Sequence, residues 1–157
     1  MHVKKPIAAN NIEEQAVKSI YPAPFSTMMA GRIKRKLGDH FGLSNFGINL
    51  TELKPGAVSA LKHHHLTQDE FIYLLKGTPT LVFGRESFLM TPGDCFGFKK
   101  GEKIGHQLVN NSNESVIYLE IGDRSPSDQV EYPDNDLCAQ FNKDGSWSFT
   151  HKDGTPY

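Results

Sequence analysis

The middle of the chain alternates short β-like runs with turn residues, and this rhythm restricts its possible folds more than any other feature. Between residues 43 and 122, apolar runs are closed by glycine, proline, asparagine or aspartate. "FGINLTEL" ends at "KPGA", "EFIYLLKG" ends at "GTP", and "VIYLEIG" follows the polar turn "NSNES". Many short strands with such punctuation are typical of a sandwich or barrel, and no long helical period competes with them. The sequence therefore predicts an all-β fold.

The chain is predicted to form one domain with two irregular arms. Its 157 residues are enough for one hydrophobic core and too few to suggest two domains. We expect the core barrel at about residues 43–122, an N-terminal arm over 1–42 and a C-terminal arm over 123–157. The second arm contains "NKDGSWSF", where Asp144-Gly145 can turn a terminal hairpin that wraps the domain.

Charge and cysteine content restrict the partners and the compartment. The 17 basic and 18 acidic side chains leave a formal net charge of −1, which gives no electrostatic reason to expect nucleic acid or an anionic membrane as a partner. Apolar runs fall short of the ~20 residues of a membrane span, and the N-terminus lacks the apolar segment of a secretory signal. Because Cys95 and Cys138 are the only cysteines, we expect a reducing cytosol.

The run "VSALKHHH" raises the question of whether three consecutive histidines are ligands or surface residues. If the run is a strand, alternate side chains share a face, so His63 and His65 point into the barrel. His64 then points outward, towards solvent or a dimer contact. Glu70 opens the next run, and a hairpin between the two runs can bring its carboxylate beside the histidines. His106 opens a later run, "HQLVN".

Three imidazoles and one carboxylate on the inner face of a barrel would form a transition-metal site with room for water or substrate. Each residue alone is weak evidence, since a single histidine in a β protein is usually a surface residue or a hydrogen-bonded one. The combination predicts His63, His65, Glu70 and His106 as ligands of one divalent ion per chain. Zn, Mn, Fe and Ni all suit such a donor set, so the identity of the metal stays open.

The spacing of these residues resembles the two sequence motifs of the cupin superfamily. The first motif is matched by Gly56, His63, His65, Glu70 and Gly77. The second is matched by "PGD" at 92–94 with Gly101, His106 and Asn110. Longer stretches, including "GDRSPSDQVEYPDNDL" and "HKDGTPY", are similar to a group of small bacterial single-domain cupins, some of which are described as sugar-phosphate isomerase-like.

This resemblance implies a double-stranded β-helix, a jelly-roll-like barrel, with the metal bound by the four residues named above and with frequent homodimers. It leaves three functions open. The first is a metal-dependent enzyme that uses the ion as a Lewis acid on a small polar or sugar-derived molecule. The second is an Fe(II)-dependent dioxygenase, and the third is a non-catalytic module that binds or senses a small molecule.

Several further residues are weaker candidates. Lys99, Lys100 and Lys103 precede His106 and can attract an anionic substrate. Asn110 is a substrate-binding candidate, although a structural hydrogen-bonding role at the barrel mouth is favoured. The basic run "RIKRK" is expected to be a solvated loop, and Cys95 a small core residue.

Overall fold

The computed structural model describes residues 5–15 and 19–157, so residues 1–4 and 16–18 of the expected N-terminal arm lie outside the described residues. Most of the regular structure is β. The strands are β1 Arg32–Lys36, β2 Phe46–Leu53, β3 His64–His65, β4 Glu70–Lys76, β5 Thr80–Phe83, β6 Glu86–Leu89, β7 Cys95–Phe98, β8 His106–Val109, β9 Val116–Asp123, β10 Gln129–Glu131, β11 Cys138–Phe141 and β12 Trp147–Thr150. The helical elements are α1 Leu37–Phe41 and the 3-10 turns Ala9–Asn11 and Phe25–Met29.

Within the described residues these strands form three antiparallel sheets. The five-stranded sheet has the order β1-β2-β9-β4-β7, the four-stranded sheet β12-β11-β10-β3, and the three-stranded sheet β6-β5-β8. The sheets pack on one another without closing into a continuous barrel, as in a β-sandwich. The predicted all-β, double-stranded β-helix class is therefore confirmed. No helix of the described residues is long and apolar enough to cross a membrane.

Two apolar clusters hold the sheets together. The first lies between the five-stranded and three-stranded sheets and includes Leu53, Leu74, Leu81, Leu108 and Tyr118, all 3% exposed or less. The second lies against the four-stranded sheet and is built from buried side chains. These are Met29, Leu61, Val130, Tyr132, Leu137 and Ala139. The alternation along β4, where Ile72 and Leu74 are buried and their neighbours exposed, is the pattern expected of a strand with one face on a core.

The histidine run departs from the regular strand that was predicted. Residues 59–62 are bends, and only His64–His65 form a strand, paired with β10. Isolated bridges pair Val58 with Val109 and His63 with His106. The run does not continue as a paired strand because its neighbouring side chains make different contacts. Leu61 packs in the second core cluster, while Lys62 forms an ion pair with Asp134. The predicted parity nevertheless holds at the histidines, since His63 and His65 line one cavity while His64 faces Glu131.

Both arms contribute strands to the sheets. β1, from the segment expected to be an irregular N-terminal arm, pairs with β2 along its whole length from Arg32↔Leu53 to Lys36↔Asn49. β10, β11 and β12, from the C-terminal arm, supply all of the four-stranded sheet except β3. The hairpin of β11 and β12 turns at residues 142–146, where Asp144 accepts hydrogen bonds from the backbone N–H and hydroxyl of Ser146.

Candidate metal centre

Three imidazole nitrogens converge on one carboxylate oxygen. The Oε2 atom of Glu70 lies 2.9 Å from Nε2 of His106, 3.4 Å from Nε2 of His65 and 3.6 Å from Nε2 of His63. The ligand-type atoms of His63, Glu70 and His106 all lie within 4.8 Å of one another. The structure thus brings together the four residues that the sequence predicted as ligands. Metal ligation by them stays a prediction.

Strand ends from all three sheets position this cluster. Glu70 begins β4, and His106 begins β8. His63 is bridged to His106 by a reciprocal pair of backbone hydrogen bonds of 2.8 and 3.2 Å. The expected hairpin between the histidine run and β4 was wrong. β3 pairs with β10 and β4 with β7 and β9, so Glu70 reaches the histidines from a different sheet.

Hydrogen bonds on the far side of two rings fix their orientation. Nδ1 of His63 lies 2.7 Å from the carbonyl oxygen of Leu61, and Nδ1 of His65 lies 2.5 Å from Oδ2 of Asp128. A carbonyl or carboxylate oxygen can only accept, so each ring donates through Nδ1–H. In the neutral ring the lone pair is then on Nε2, which faces Glu70. This is the arrangement by which carboxylates and carbonyls orient metal-binding imidazoles.

Asp128 is a residue of the candidate site that the sequence analysis missed. Its side chain is fully buried. Besides His65, its carboxylate accepts hydrogen bonds from the backbone N–H of Thr67 at 2.8 Å and from the Thr67 hydroxyl at 3.0 Å. Asp128 stands 63 residues from His65 in the sequence, in the Asp- and Ser-rich start of the C-terminal arm. The local pattern there is that of a polar loop, and it carries no periodic signal for a site.

The electrostatics of the cluster favour an anionic carboxylate among imidazoles. Burial opposes the ionisation of Glu70, but the charge of His65 and the hydrogen bond from Nε2 of His106 outweigh it and hold the pKa of the carboxyl well below its ordinary value. Burial also disfavours the charged form of His65, yet Glu70 and Asp128 raise the pKa of its imidazole. For His106 burial prevails and lowers the pKa.

These donors fit a first-row divalent ion. Ligands with bonds of about 2.1 Å to one tetrahedral or octahedral ion stand about 3.0–3.4 Å from their neighbours. The distances of 2.9, 3.4 and 3.6 Å from Glu70 to the three Nε2 atoms fall close to that range. Imidazole and carboxylate donors suit Zn, Fe, Mn and Ni, and a binding ion would displace protons from the rings. In donor type and in their spacing around Glu70 the residues present therefore fit the metal that the resemblance implies, with His63, Glu70 and His106 as the mutually close set.

His64 faces away from the ligands, as its parity predicted, but it does not reach solvent. It is 5% exposed, and its Nε2 lies 3.4 Å from a carboxylate oxygen of Glu131. A narrow pocket that His64 shares with His65, Glu70 and His106 is also lined by Lys99, Glu102 and Ile104 of the loop that leads to His106. The expected contact with solvent or a second subunit was wrong because this loop and β10 cover the ring. Burial lowers the pKa of His64.

The four candidate ligands lie at a cavity of about 930 Å³, within the usual range for small-molecule sites. One wall belongs to the five-stranded sheet and carries most of the charged side chains of the cavity. Its side chains include Arg32, Lys34, Lys36, Asn49, Glu120 and Arg124. The other wall belongs to the four-stranded sheet and is rich in aromatic residues. It includes Tyr132, Phe141, Trp147 and Phe149. A ligand in this cavity meets hydrogen-bonding groups on one side and rings on the other.

The cations at this cavity are not the lysines selected from the sequence. The structure places Lys99, Lys100 and Lys103 on an exposed loop, and none of them is among the described residues that line the cavity. Their role in substrate binding stays a prediction. The run "RIKRK" is strand β1 and not a solvated loop, so its alternate residues Arg32, Lys34 and Lys36 all face the cavity. Positive charges at every second residue are the sequence signal that could have identified these three residues as one face of a strand.

Two other sequence expectations can be compared with the structure. Asn110 is fully buried, and its amide donates to the carbonyl oxygens of Leu53 and Glu114 and accepts from the N–H and hydroxyl of Ser112. This gives it the favoured structural role, and it leaves no exposed atom for a substrate. Cys95 is an exposed free thiol at the start of β7, so the expected core position was wrong. Its parity places it on the outer face of the sheet.

Comparison with known proteins gives a consistent result. The sequence matches the Cupin domain family over residues 49–122. No curated protein sequence gives a significant match. Among solved structures, a sugar phosphate isomerase from a cupin superfamily of Silicibacter pomeroyi is 38% identical, with a TM-score of 0.91 and coverage of 98% of this chain and 96% of that chain.

Two further structures extend the comparison. A putative sugar phosphate isomerase from Acidithiobacillus ferrooxidans is 30% identical, with a TM-score of 0.72 over 80% of both chains. A polyketide cyclase from Streptomyces resistomycificus is 21% identical, with a TM-score of 0.63 over 83% of this chain and 86% of that chain. At that identity the similarity concerns the fold alone.

Proposed function

The chain belongs to the cupin superfamily, and we propose that it is a metal-dependent enzyme that isomerises a small sugar-derived molecule. The observation that carries this proposal is the convergence of three imidazole Nε2 atoms on Glu70 beside a cavity of about 930 Å³. The two similar structures from Silicibacter pomeroyi and Acidithiobacillus ferrooxidans are named as sugar phosphate isomerases, the second as a putative one, which supports a sugar-derived substrate. The proposed cofactor is one divalent transition-metal ion per chain, held by His63, His65, Glu70 and His106.

The side chains around the site have distinct proposed tasks. A divalent ion bound there would supply Lewis-acid polarisation of the oxygens of a substrate. His63 and His65 are held in place through Leu61 and Asp128, so the ligand geometry is set before the substrate arrives. Tyr132 lies next to this cluster, with its ring centroid 5.9 Å from that of His63. Burial and the neighbouring hydroxyl of Tyr21 raise the pKa of Tyr132, so its hydroxyl stays protonated beside the ligand residues.

The polar wall favours this function over the Fe(II)-dependent dioxygenase. An apolar pocket would favour such an oxygenase, whereas this cavity is lined by the charged side chains of Arg32, Lys34 and Glu120, which suit a polar substrate. A non-catalytic binding module uses the same groups and differs only in the absence of turnover. The proposed location is the reducing cytosol, in agreement with the free thiols of Cys95 and Cys138.

Turnover can be tested by proton exchange. We expect the metal-loaded protein, incubated in D₂O with a panel of aldose and ketose phosphates, to introduce deuterium at the carbon next to the carbonyl of at least one of them. Proton NMR detects the exchange and the interconversion together. Glu70→Gln should reduce the rate by at least about 100-fold, because it removes the carboxylate shared by the three rings. Oxygen consumption without exchange would favour the dioxygenase, and binding without either reaction would favour the sensing module.

One apolar surface of the molecule is suited to self-association. The outer face of the five-stranded sheet exposes Phe71, Tyr73 and Leu75, each 38–45% exposed, beside Leu119 and Ile121 of β9. Contiguous apolar side chains of this kind mark interaction surfaces. We propose that a second copy of the chain covers this face in a homodimer. Light scattering should give twice the 17.5 kDa chain mass, and Tyr73→Lys should reduce it to one chain mass.

A matched control for the dimer is Leu89→Lys on β6, since Leu89 is 70% exposed but lies in the three-stranded sheet. This variant should keep the wild-type mass. A wild-type protein with the mass of a single chain at micromolar concentrations would contradict the proposed homodimer.

A further inference from the structure

A second polar cluster lies in the cavity, apart from the metal cluster. It consists of Lys34 on β1, Asn49 on β2 and Glu120 on β9, which all line the cavity. Asn49 and Glu120 are direct cross-strand partners, and their neighbour Lys34 is ion-paired with Glu120. We call these residues the Lys34–Asn49–Glu120 cluster. The side chains of Lys34 and Glu120 are only 23% and 22% exposed. Removing charged groups from water costs free energy, so a half-buried charged cluster in the wall of a cavity indicates a binding role.

Glu120 organises the cluster through both carboxylate oxygens. Oε1 accepts hydrogen bonds from the Lys34 ammonium and from the Asn49 side-chain amide, the latter at 2.9 Å. Oε2 accepts from the hydroxyl of Tyr118 at 3.2 Å. Burial opposes the ionisation of Glu120, but Lys34 outweighs it and lowers the pKa of the carboxyl. Burial raises the pKa of Tyr118, which therefore remains a donor.

The hydrogen-bonding capacity that remains is of both kinds. Among the described residues Lys34 has Glu120 as its hydrogen-bond partner, which leaves two of the three ammonium N–H groups. Asn49 keeps one amide N–H and its side-chain oxygen, and Glu120 keeps acceptor capacity on Oε2. A hydroxyl group donates and accepts, so neighbouring hydroxyls match this mixture. A phosphate group is negatively charged and mainly an acceptor, so the ionised Glu120 would repel it.

The cluster lies within reach of a molecule bound at the metal ligands. Glu70 pairs directly with Gly122, and Glu120 is two residues from Gly122 on the same face of β9. Glu70 and Glu120 are therefore diagonal cross-strand neighbours, whose Cα atoms stand about 7–8 Å apart. Gly122, the strand partner of Glu70, has no side chain to fill the space beside the carboxylate. A Cβ at this position would lie 3.8 Å from Cγ of Glu70. A short polyol can span this distance.

The aromatic wall supplies the complementary surface. Trp147 and Phe149 line the same cavity from β12, and the ring of Trp147 packs against Phe141 with centroids 4.9 Å apart. The C–H faces of a sugar are apolar while its edge carries hydroxyls. A cavity with rings on one wall and mixed donors and acceptors on the other matches both surfaces.

We infer that the Lys34–Asn49–Glu120 cluster is a hydroxyl-recognition subsite, which binds vicinal hydroxyls of a polyol or sugar whose other end lies at His63, His65, Glu70 and His106. The inference deepens the proposed function and rests on it for the placement of the reacting end. The cluster itself recognises the carbohydrate body. It selects a sugar-derived ligand over an anion of similar size.

Ribitol is a suitable probe, because it has vicinal hydroxyls and no carbonyl to isomerise. It is titrated into metal-free protein while ¹H–¹⁵N NMR follows the side-chain amide of Asn49 and the backbone amides of Gly47 and Gly122. We expect saturable shifts at these groups, and we expect Asn49→Leu to weaken ribitol affinity about tenfold through the lost hydrogen bonds. Asn49→Leu keeps the Lys34–Glu120 pair, and the dispersion of the spectrum reports that the variant is folded.

The control variant is Asn113→Leu, at an exposed position of the turn before β9, which should bind ribitol as the wild type does. Inorganic phosphate is titrated in parallel. Phosphate shifts at Asn49 without ribitol shifts, no ribitol binding, or equal ribitol affinity in Asn49→Leu would overturn the inference. Because neither metal nor turnover enters this experiment, ribitol binding together with a negative exchange assay would leave the subsite intact and refute only the proposed isomerase.

Discussion

Glu70→Ala should lower the affinity for a divalent transition metal by at least about 100-fold and leave the purified protein almost without metal. The reason is the position of Glu70, whose Oε2 atom is within 3.6 Å of Nε2 of all three ligand histidines. Without this carboxylate the rings have no anion at their centre, and an incoming ion loses its only negatively charged ligand among these four residues. Elemental analysis of protein purified without a histidine tag measures the effect.

Metal occupancy of histidine variants distinguishes the three proposed ligands from His64, which lies next to them in the sequence. His63→Ala, His65→Ala and His106→Ala should each lower metal occupancy strongly. His64→Ala is the matched control, because His64 is equally buried but is turned towards Glu131. It should keep near wild-type occupancy. If the folded His64 variant, checked by circular dichroism, lost metal as its neighbours do, the assignment of alternate histidines to the site would be wrong.

Asp128→Ala should be the most destabilising of the changes outside the ligands. Its buried carboxylate accepts from His65 and twice from Thr67, so its removal leaves buried donors without partners. Losses of this kind cost about 2–4 kcal/mol of the free energy of unfolding. The orientation of His65 is lost as well, and metal affinity should fall about 10–100-fold. Denaturant unfolding and a competition titration with a metal chelator measure the two effects.

Asp136→Ala is the control for that prediction. Asp136 makes the same kinds of hydrogen bond, from a histidine ring at His151 and from the backbone N–H of Lys152, but on the exposed surface. It should change neither metal affinity nor the unfolding midpoint by much, since exposed pairs contribute little. An Asp128→Ala protein as stable and as metal-competent as Asp136→Ala would refute the role given to Asp128.

The predictable parts of the fold are those set by local pattern. The run "FGINLTEL" is β2 over Phe46–Leu53, and "EFIYLLK" is β4 over Glu70–Lys76, because their alternation and closing turn residues agree with burial on one face. The histidine run could not be predicted as well. Its regular alternation suggested a strand, but packing of Leu61 and pairing of Lys62 with Asp134 bend the chain before His64.

The candidate site shows the same division. Parity and motif spacing selected His63, His65, Glu70 and His106, which the structure brings together. Asp128 and the Lys34–Asn49–Glu120 cluster could not be found from local pattern, because their partners are 61–86 residues away in the sequence. Such contacts arise from sheet topology. The cationic face of β1 could not be predicted for a different reason. A run of basic residues is typical of a solvent-exposed loop, and only its pairing with β2 shows that it is a strand.

The most direct measurement of the central claim is the location of the metal in a crystal of protein purified without a tag. After elemental analysis has identified the ion, an anomalous difference map at its absorption edge should show one peak per chain. That peak should lie within bonding distance of His63, His65, Glu70 and His106. A peak elsewhere on the molecule, or a map with no peak among these four residues from metal-supplemented protein, would contradict the metal-dependent function proposed for this cupin.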